Sequence, residues 1–353
     1  MQQPIDIASG IADITPHWLT SVFHREGVEA KVSSIAASAI GTGQMGSCYR
    51  LFIEYAAGAG PATLVVKLPS DDPQRRASDA FTYRCEVGFY REVSPRVTLR
   101  RPRCYFAARS DSGEEFTLLL EDLAPARQGD QIVGCTVDQA RAAVVNLAGL
   151  HAPLWCDSSL QALDWLVPNG SDFAELSATF YRDATEKFLR RYSLSDETTA
   201  ALKAFAASAQ RWWERPAHPF ALLHGDYRLD NLLFGGADAQ VSAVAVDWQS
   251  CTLGNPLRDV AFMTVTGLRA DERRGAERDL VAAYRAALRD EGVGDYGDNE
   301  CWEDYRLGVF HAAVVTVFGA TAAKPSDRGD RMFTTMAERT ATAMIELESL
   351  SLL

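Results

Sequence analysis

Lysine is scarce in this chain. Five lysines stand beside thirty arginines among 353 residues, and together they are outnumbered by 47 acidic side chains, for a net charge of −12. That balance excludes nucleic acid as an expected partner, because proteins that bind it concentrate cations on one face. Cysteine is present seven times, an odd number, and no two are spaced Cys-x-x-Cys. Neither a disulfide framework nor a zinc site fits, and a reducing cytoplasm is the expected setting. Residues 1–10 hold no basic stretch leading into an apolar one, so no signal peptide is expected. The longest apolar region, 309–323, is interrupted by His311 and is shorter than the ~20 residues of a membrane span. It reads as a buried helix, and no membrane is expected. There is no internal repeat and no low-complexity tract. What remains is the composition of a globular protein, on a chain long enough for two lobes.

The chemistry-bearing residues cluster. His224-Gly225-Asp226-Tyr227-Arg228-Leu229-Asp230-Asn231 is followed by Asp247-Trp248-Gln249, and each cluster ends a short apolar run that reads as a buried strand. Asp226 can accept a proton from an attacking hydroxyl. Asn231 and Asp247 offer hard oxygen ligands of the kind Mg²⁺ prefers, so the group has what the movement of a phosphoryl group requires. Upstream, Gly41, Gly43 and Gly46 interrupt an extended stretch, where backbone N–H groups could approach phosphate oxygens. A strand and not a helix follows these glycines, so they are no Rossmann fingerprint, and no Gly-Lys-Ser/Thr follows to make a Walker loop. Lys67 ends the apolar run 62–66. A lysine there needs a carboxylate partner, since an unpaired buried ammonium is costly or loses its proton. Phe81, Cys85, Phe89 and Val93 recur at helical spacing, with Glu86 beside the stripe as the expected partner and Glu92 as its competitor.

Taken in order, the glycines at 41–46, the strand ending in Lys67, the segment 85–90, Leu119-Leu120-Glu121-Asp122-Leu123, His224-Gly225-Asp226, Asn231, Asp247 and Gly254-Asn255-Pro256-Leu257-Arg258-Asp259 resemble the kinase-like small-molecule phosphotransferases. These include the aminoglycoside phosphotransferases, the choline kinases and, most of all, the ecdysteroid-kinase-like branch. The stretches 224–231 and 254–259 also look like the kinase-like domain fused to some acyl-CoA dehydrogenases. The resemblance implies an ATP-dependent, Mg²⁺-requiring transfer of a phosphoryl group to a hydroxyl of a small molecule. Asp226 would be the base and Arg228 would stand where a protein kinase has its phosphate-contacting lysine. Lys67 would contact ATP phosphates, Asn231 and Asp247 would hold Mg²⁺, and the backbone near Glu121 and Leu123 would hold adenine. It also implies that His224 fixes the loop's backbone and that Asp259 accepts hydrogen bonds from it. A nucleotide-binding pseudokinase and a nucleotidyl transferase on the same fold are the rival expectations. The chain departs from protein kinases where Asp-Phe-Gly becomes Asp247-Trp248-Gln249, which keeps the carboxylate and drops the φ-permissive glycine.

The expected fold is therefore α+β and bilobal. A small lobe, 1–120, carries a leading helix capped by Thr15 and Pro16 and a five-stranded antiparallel sheet. A hinge and connecting loop occupy 121–135. A mostly helical lobe, 136–353, opens with a Thr136/Gln139 capping box and continues with helices near 172–191, 196–214, 257–268, 272–290 and 300–350, broken near Pro325. His151 reads as a core histidine and the tryptophans as packing. Asp230 is left between facing substrate and closing a local turn.

Overall fold

The structure is a computed structural model that describes residues 5–40, 46–166, 171–235 and 241–353, with backbone alone at 171 and 172. Thr15 opens helix α1 (Pro16–Arg25) by accepting the Trp18 N–H at 3.1 Å, and Pro16 occupies a position whose N–H would have no helical partner. Trp18, Leu19, Val22 and Phe23 form one buried face of α1, and with Leu51, Leu64 and Val66 they build the core of the first compact unit. That unit comprises Met1–Arg96, Arg101–Ala124 and Asp247–Ser250.

Its sheet has five antiparallel strands, β1 (Ala30–Ala39), β2 (Gly46–Gly58), β3 (Thr63–Pro69), β4 (Cys104–Arg109) and β5 (Phe116–Glu121), in the order β1-β2-β3-β5-β4. In β3, Leu64, Val66 and Leu68 are buried in alternation, which turns Lys67 to the opposite face of the strand. Helix α2 (Pro73–Gly88) starts on Asp72, whose carboxylate accepts the Gln74 N–H at 3.0 Å. Of the expected stripe, Cys85, Phe89 and Val93 are fully buried, and Phe81 alone departs from it, at 45% exposed; Ala80, Tyr83 and Val87 complete the buried side of α2. After Gly88 the coil widens into a π turn, Phe89–Val93, in which Phe89, Tyr90 and Val93 are buried.

The second compact unit comprises Val97–Arg100, Pro125–Val246 and Cys251–Leu353. Two small antiparallel ladders, β10 (Thr252–Gly254) with β7 (Ala221–Leu223), and β6 (Arg127–Gln128) with β8 (Leu232–Phe234) and β9 (Ala243–Ala245), sit among its helices. The helices are α3 (Val137–His151), α4 (Ser171–Arg191), α5 (Asp196–Glu214), α6 (Leu257–Gly267), α7 (Ala270–Asp290), α8 (Asp298–Ala322) and α9 (Asp327–Glu346). The Thr136/Gln139 capping box is formed, and α8 ends before Pro325 as expected. Helix α8 is longer than the apolar stretch inside it. By length and composition it meets the test for a membrane span, with 56% of its apolar window buried, and it packs against α4, α6 and α9.

The crossing of α8 over α6 depends on Gly308, because a Cβ there would stand 2.5 Å from the Leu257 carbonyl oxygen. Gly308→Ala should therefore lower stability by about 1–3 kcal/mol through overpacking, although alanine is the better helix former. Urea midpoints measure this, and an unchanged or raised midpoint would show that α6 gives way freely.

Candidate active site

The first unit gathers charge around Lys67. Strand register places Lys67 between Cys48 of β2 and Leu118 of β5. Its Nζ lies 2.7 and 2.9 Å from the two oxygens of Glu86 and 3.1 Å from Oδ1 of Asp247. Glu86, on α2, is buried, and the partner is this carboxylate and not Glu92. Burial works against the ammonium charge, but Asp247 and Glu86 outweigh it and hold the Lys67 pKa above its ordinary value. Gln249 adds a hydrogen bond from Nε2 to Glu86 at 3.2 Å.

Asp247 has φ 69°, in the left-handed region that side chains with a Cβ rarely adopt. Backbone strain of this kind persists where the surroundings enforce it, commonly at functional sites. Part of the enforcement is visible: Trp248 stacks flat on Phe89 of the π turn, with centroids 3.6 Å apart and planes 5° from parallel. Of the glycine loop, Gly41 and Gly43 lie outside the described residues. Gly46 starts β2, where a Cβ would meet the Leu68 carbonyl oxygen at 2.7 Å, so close strand packing alone requires glycine there.

At the expected hinge, Glu121 ends β5. Its N–H donates to the Arg103 carbonyl at 2.8 Å, and its carboxylate accepts the Arg103 N–H at 3.1 Å. Asp122 is clasped by Arg50 at 2.7 Å and accepts the Ala124 N–H at 3.2 Å, which fixes the chain on both sides of Leu123.

The second unit holds the loop after β7. Asp259, fully buried on α6, accepts the backbone N–H groups of His224 at 2.7 Å and Gly225 at 3.1 Å. His224 Nε2 donates to the Val246 carbonyl at 3.0 Å while its Nδ1 accepts the Asp226 N–H at 3.3 Å. Both ring nitrogens are therefore committed to backbone, and His224 has no nitrogen left for proton transfer. His311 Nε2 donates to the Gly225 carbonyl at 2.9 Å. His151 lies 3.5 Å from Asp259 and 2.8 Å from the Tyr284 hydroxyl, wholly buried.

This anchored turn presents Asp226. Arg228 Nε lies 3.0 and 3.2 Å from its two oxygens, and Asn231 Nδ2 donates to its carboxylate at 2.8 Å and its carbonyl at 2.9 Å. The amide of Asn231 is thereby oriented through its Nδ2. Asn231 Oδ1 in this unit and the Asp247 carboxylate in the first are each hard donors of the kind that suits Mg²⁺. Among the described residues no three His, Cys, Asp or Glu side chains cluster as a metal site.

Arg228 also reaches Asp230 at 2.8 Å, so in this structure it orients the candidate base. Asp230 is a structural carboxylate. Arg328 at the start of α9 binds it at 3.0 Å, Gln131 donates its backbone N–H to it at 3.0 Å, and burial is outweighed by Arg328 and Arg228, which hold its pKa below the usual range. Three supporting residues had no sequence signal of their own. Gln131, buried in the connecting loop, accepts the Leu229 N–H at 2.9 Å. Arg328 is 98 residues from the carboxylate that it binds. Gln249 registered only as a missing glycine.

Burial, against the pull of Asp259, holds the His311 imidazole neutral and below its ordinary value. The unfolded chain takes up that proton near pH ~6.5 and the folded protein only at lower pH, so stability should fall as pH drops below about 6.5. His311→Gln keeps a donor for Gly225 and should flatten this part of the curve. Urea midpoints at about pH 7.5 and 5.5 test it, and an equal acid loss in both proteins would contradict it.

The profile of the ecdysteroid kinase-like family matches residues 41–292. Curated relatives share only a short segment. Acyl-CoA dehydrogenase family member 11 of Gallus gallus is 50% identical over 44 residues, covering 12% of this chain and 6% of that protein. Family member 10 of Mus musculus is 56% identical over 41 residues, 12% of this chain and 4% of that protein. Among solved structures, an aminoglycoside phosphotransferase assigned by inference from Ralstonia eutropha JMP134 superposes with a TM-score of 0.54 at 16% identity, covering 92% of this chain and 96% of that one. Choline kinase from Cryptosporidium parvum Iowa II gives 0.59 at 10% identity, covering 90% and 92%. At such identities the structural likeness is one of fold, the α+β kinase-like fold of small-molecule phosphotransferases. The profile match extends over well over half the chain, and on that ground the chain belongs to the ecdysteroid kinase-like family.

Proposed function

We propose that this protein transfers the γ-phosphoryl group of ATP to a hydroxyl of a small organic molecule, with Mg²⁺ as the metal and the cytoplasm as the setting. The observation that carries the reading is the clasp of Lys67 by Glu86 and the left-handed Asp247. It is a buried ammonium kept charged and fixed in direction, as contact with an oligophosphate needs. Further support comes from relatives whose names describe a GDP complex of aminoglycoside 2'-phosphotransferase-IIIa, a choline kinase and an ethanolamine kinase.

In this reading Lys67 contacts the nucleotide phosphates, and Asn231 Oδ1 and the Asp247 carboxylate are the residues that would hold Mg²⁺, which would supply charge neutralisation. Asp226 accepts the acceptor hydroxyl's hydrogen bond, orients its oxygen for in-line attack and takes its proton as the bond to phosphorus forms and ADP departs. Arg228 and Asn231 hold the Asp226 carboxylate in one orientation, so its ordering costs nothing at the moment of reaction. The transition state is loose, and position and charge account for most of the rate.

Asp226→Asn keeps shape and hydrogen-bonding reach but removes the proton acceptor. It should bind ATP as the wild type does and lower kcat by at least ~10². Calorimetry for ATP and phosphoryl transfer to an accepted alcohol, on one preparation, measure both, and near wild-type turnover would remove Asp226 from the role. Asp247→Ala and Lys67→Ala should each weaken Mg²⁺-dependent ATP binding without loss of fold, with Glu86→Gln milder than Lys67→Ala. ATP affinity indifferent to Mg²⁺ in the wild type would contradict the metal assignment.

A further inference from the structure

The first unit contains a cavity of about 360 Å³ formed by the π turn, the turn after it and the ends of β4 and β5. Tyr90, Ser94, Arg101, Arg103, Cys104 and Glu121 line it, and Lys67, Glu86 and Asp247 do not. Tyr90 is only 4% exposed, yet its hydroxyl has no hydrogen-bond partner among the described residues. Burial pushes that hydroxyl well above its ordinary pKa, so it remains an O–H donor. A buried donor without an acceptor is rare in native structures and marks a place where something else supplies the acceptor.

Two arginines, Arg101 and Arg103, also line the cavity. Arg101 is fixed through hydrogen bonds to the Ser94 hydroxyl at 2.6 Å and to the Ser94 carbonyl. The Arg103 guanidinium lies 4.6 Å over the Tyr105 ring, and the single lining carboxylate, Glu121, is engaged with the Arg103 N–H.

We propose that this cavity binds a small molecule bearing an oxyanion, a carboxylate or a phosphate monoester, which accepts the Tyr90 hydroxyl and pairs with Arg101 and Arg103. The site is placed to regulate. Tyr90 follows Phe89 in the π turn, and Phe89 is the ring on which Trp248 stacks beside Asp247. Glu121 stands at the hinge. An occupant that fixes Tyr90 therefore biases the segment that carries Asp247, and by linkage nucleotide alters the occupant's affinity by the same factor.

Binding of an anion here does not depend on phosphoryl transfer, and its test keeps the two apart. Phenyl phosphate, benzoate and benzyl alcohol are titrated calorimetrically into the full chain and into Tyr90→Phe, Arg103→Gln and Lys67→Ala. Tyr90→Phe deletes only an unpartnered oxygen and should leave thermal stability unchanged. At least one of the two anions should bind the wild type, benzyl alcohol should not, and each of the first two variants should bind about tenfold more weakly while Lys67→Ala binds as the wild type. Preference for one anion over the other identifies the natural oxyanion. The proposal is overturned if neither anion binds, if benzyl alcohol binds as tightly, if Tyr90→Phe and Arg103→Gln bind like the wild type, or if Lys67→Ala alone abolishes binding.

Discussion

A lysine that must stay charged inside a strand is the constraint on which the first unit depends. Lys67 follows Val66 on a strand whose other face is core, and its ammonium must be matched by carboxylates that are themselves costly to bury. Glu86 answers from α2. Gln249 then answers Glu86, and Asp247 reaches Lys67 only by accepting a left-handed backbone, steadied where Trp248 lies on Phe89. Each feature depends on the one before it. Trp248 and Gln249, which look like the loss of a flexible glycine, are what keep Asp247 in place.

The second unit is organised around the opposite charge. Asp259, wholly buried, turns the loop after β7 by gathering its backbone N–H groups, and the His151 side chain 3.5 Å away leads the groups that hold its pKa low against the effect of burial. Asp226 is then free of structural work toward the core and is held by Arg228 and Asn231 instead. A carboxylate that supports and a carboxylate that is presented are thus distinct residues, which allows one to be immovable and the other accessible.

Much of this was legible in the sequence because the signals were local. Lys67 at the end of an apolar run called for a carboxylate partner, a capping box opened α3, and the offsets from Asp226 to Asn231 fit within one loop. Glu86 could be preferred to Glu92 because it stands beside the apolar stripe. Phe81 alone departs from the stripe, which Cys85, Phe89 and Val93 keep. Arg328 and Gln131 were illegible: an arginine on the first turn of a helix and a glutamine in a polar loop look like solvated side chains until the fold brings them to Asp230 and Leu229.

The central claim is that the residues around Lys67 and Asp226 move a phosphoryl group. The most direct measurement incubates the protein with Mg²⁺, ATP labelled in the γ-phosphate and a panel of alcohols, then tracks the label and the nucleotide product together. The account predicts label in an organic phosphate monoester and an equal amount of ADP. AMP with nucleotide on the acceptor, or bound ATP that never turns over on any alcohol, would contradict it.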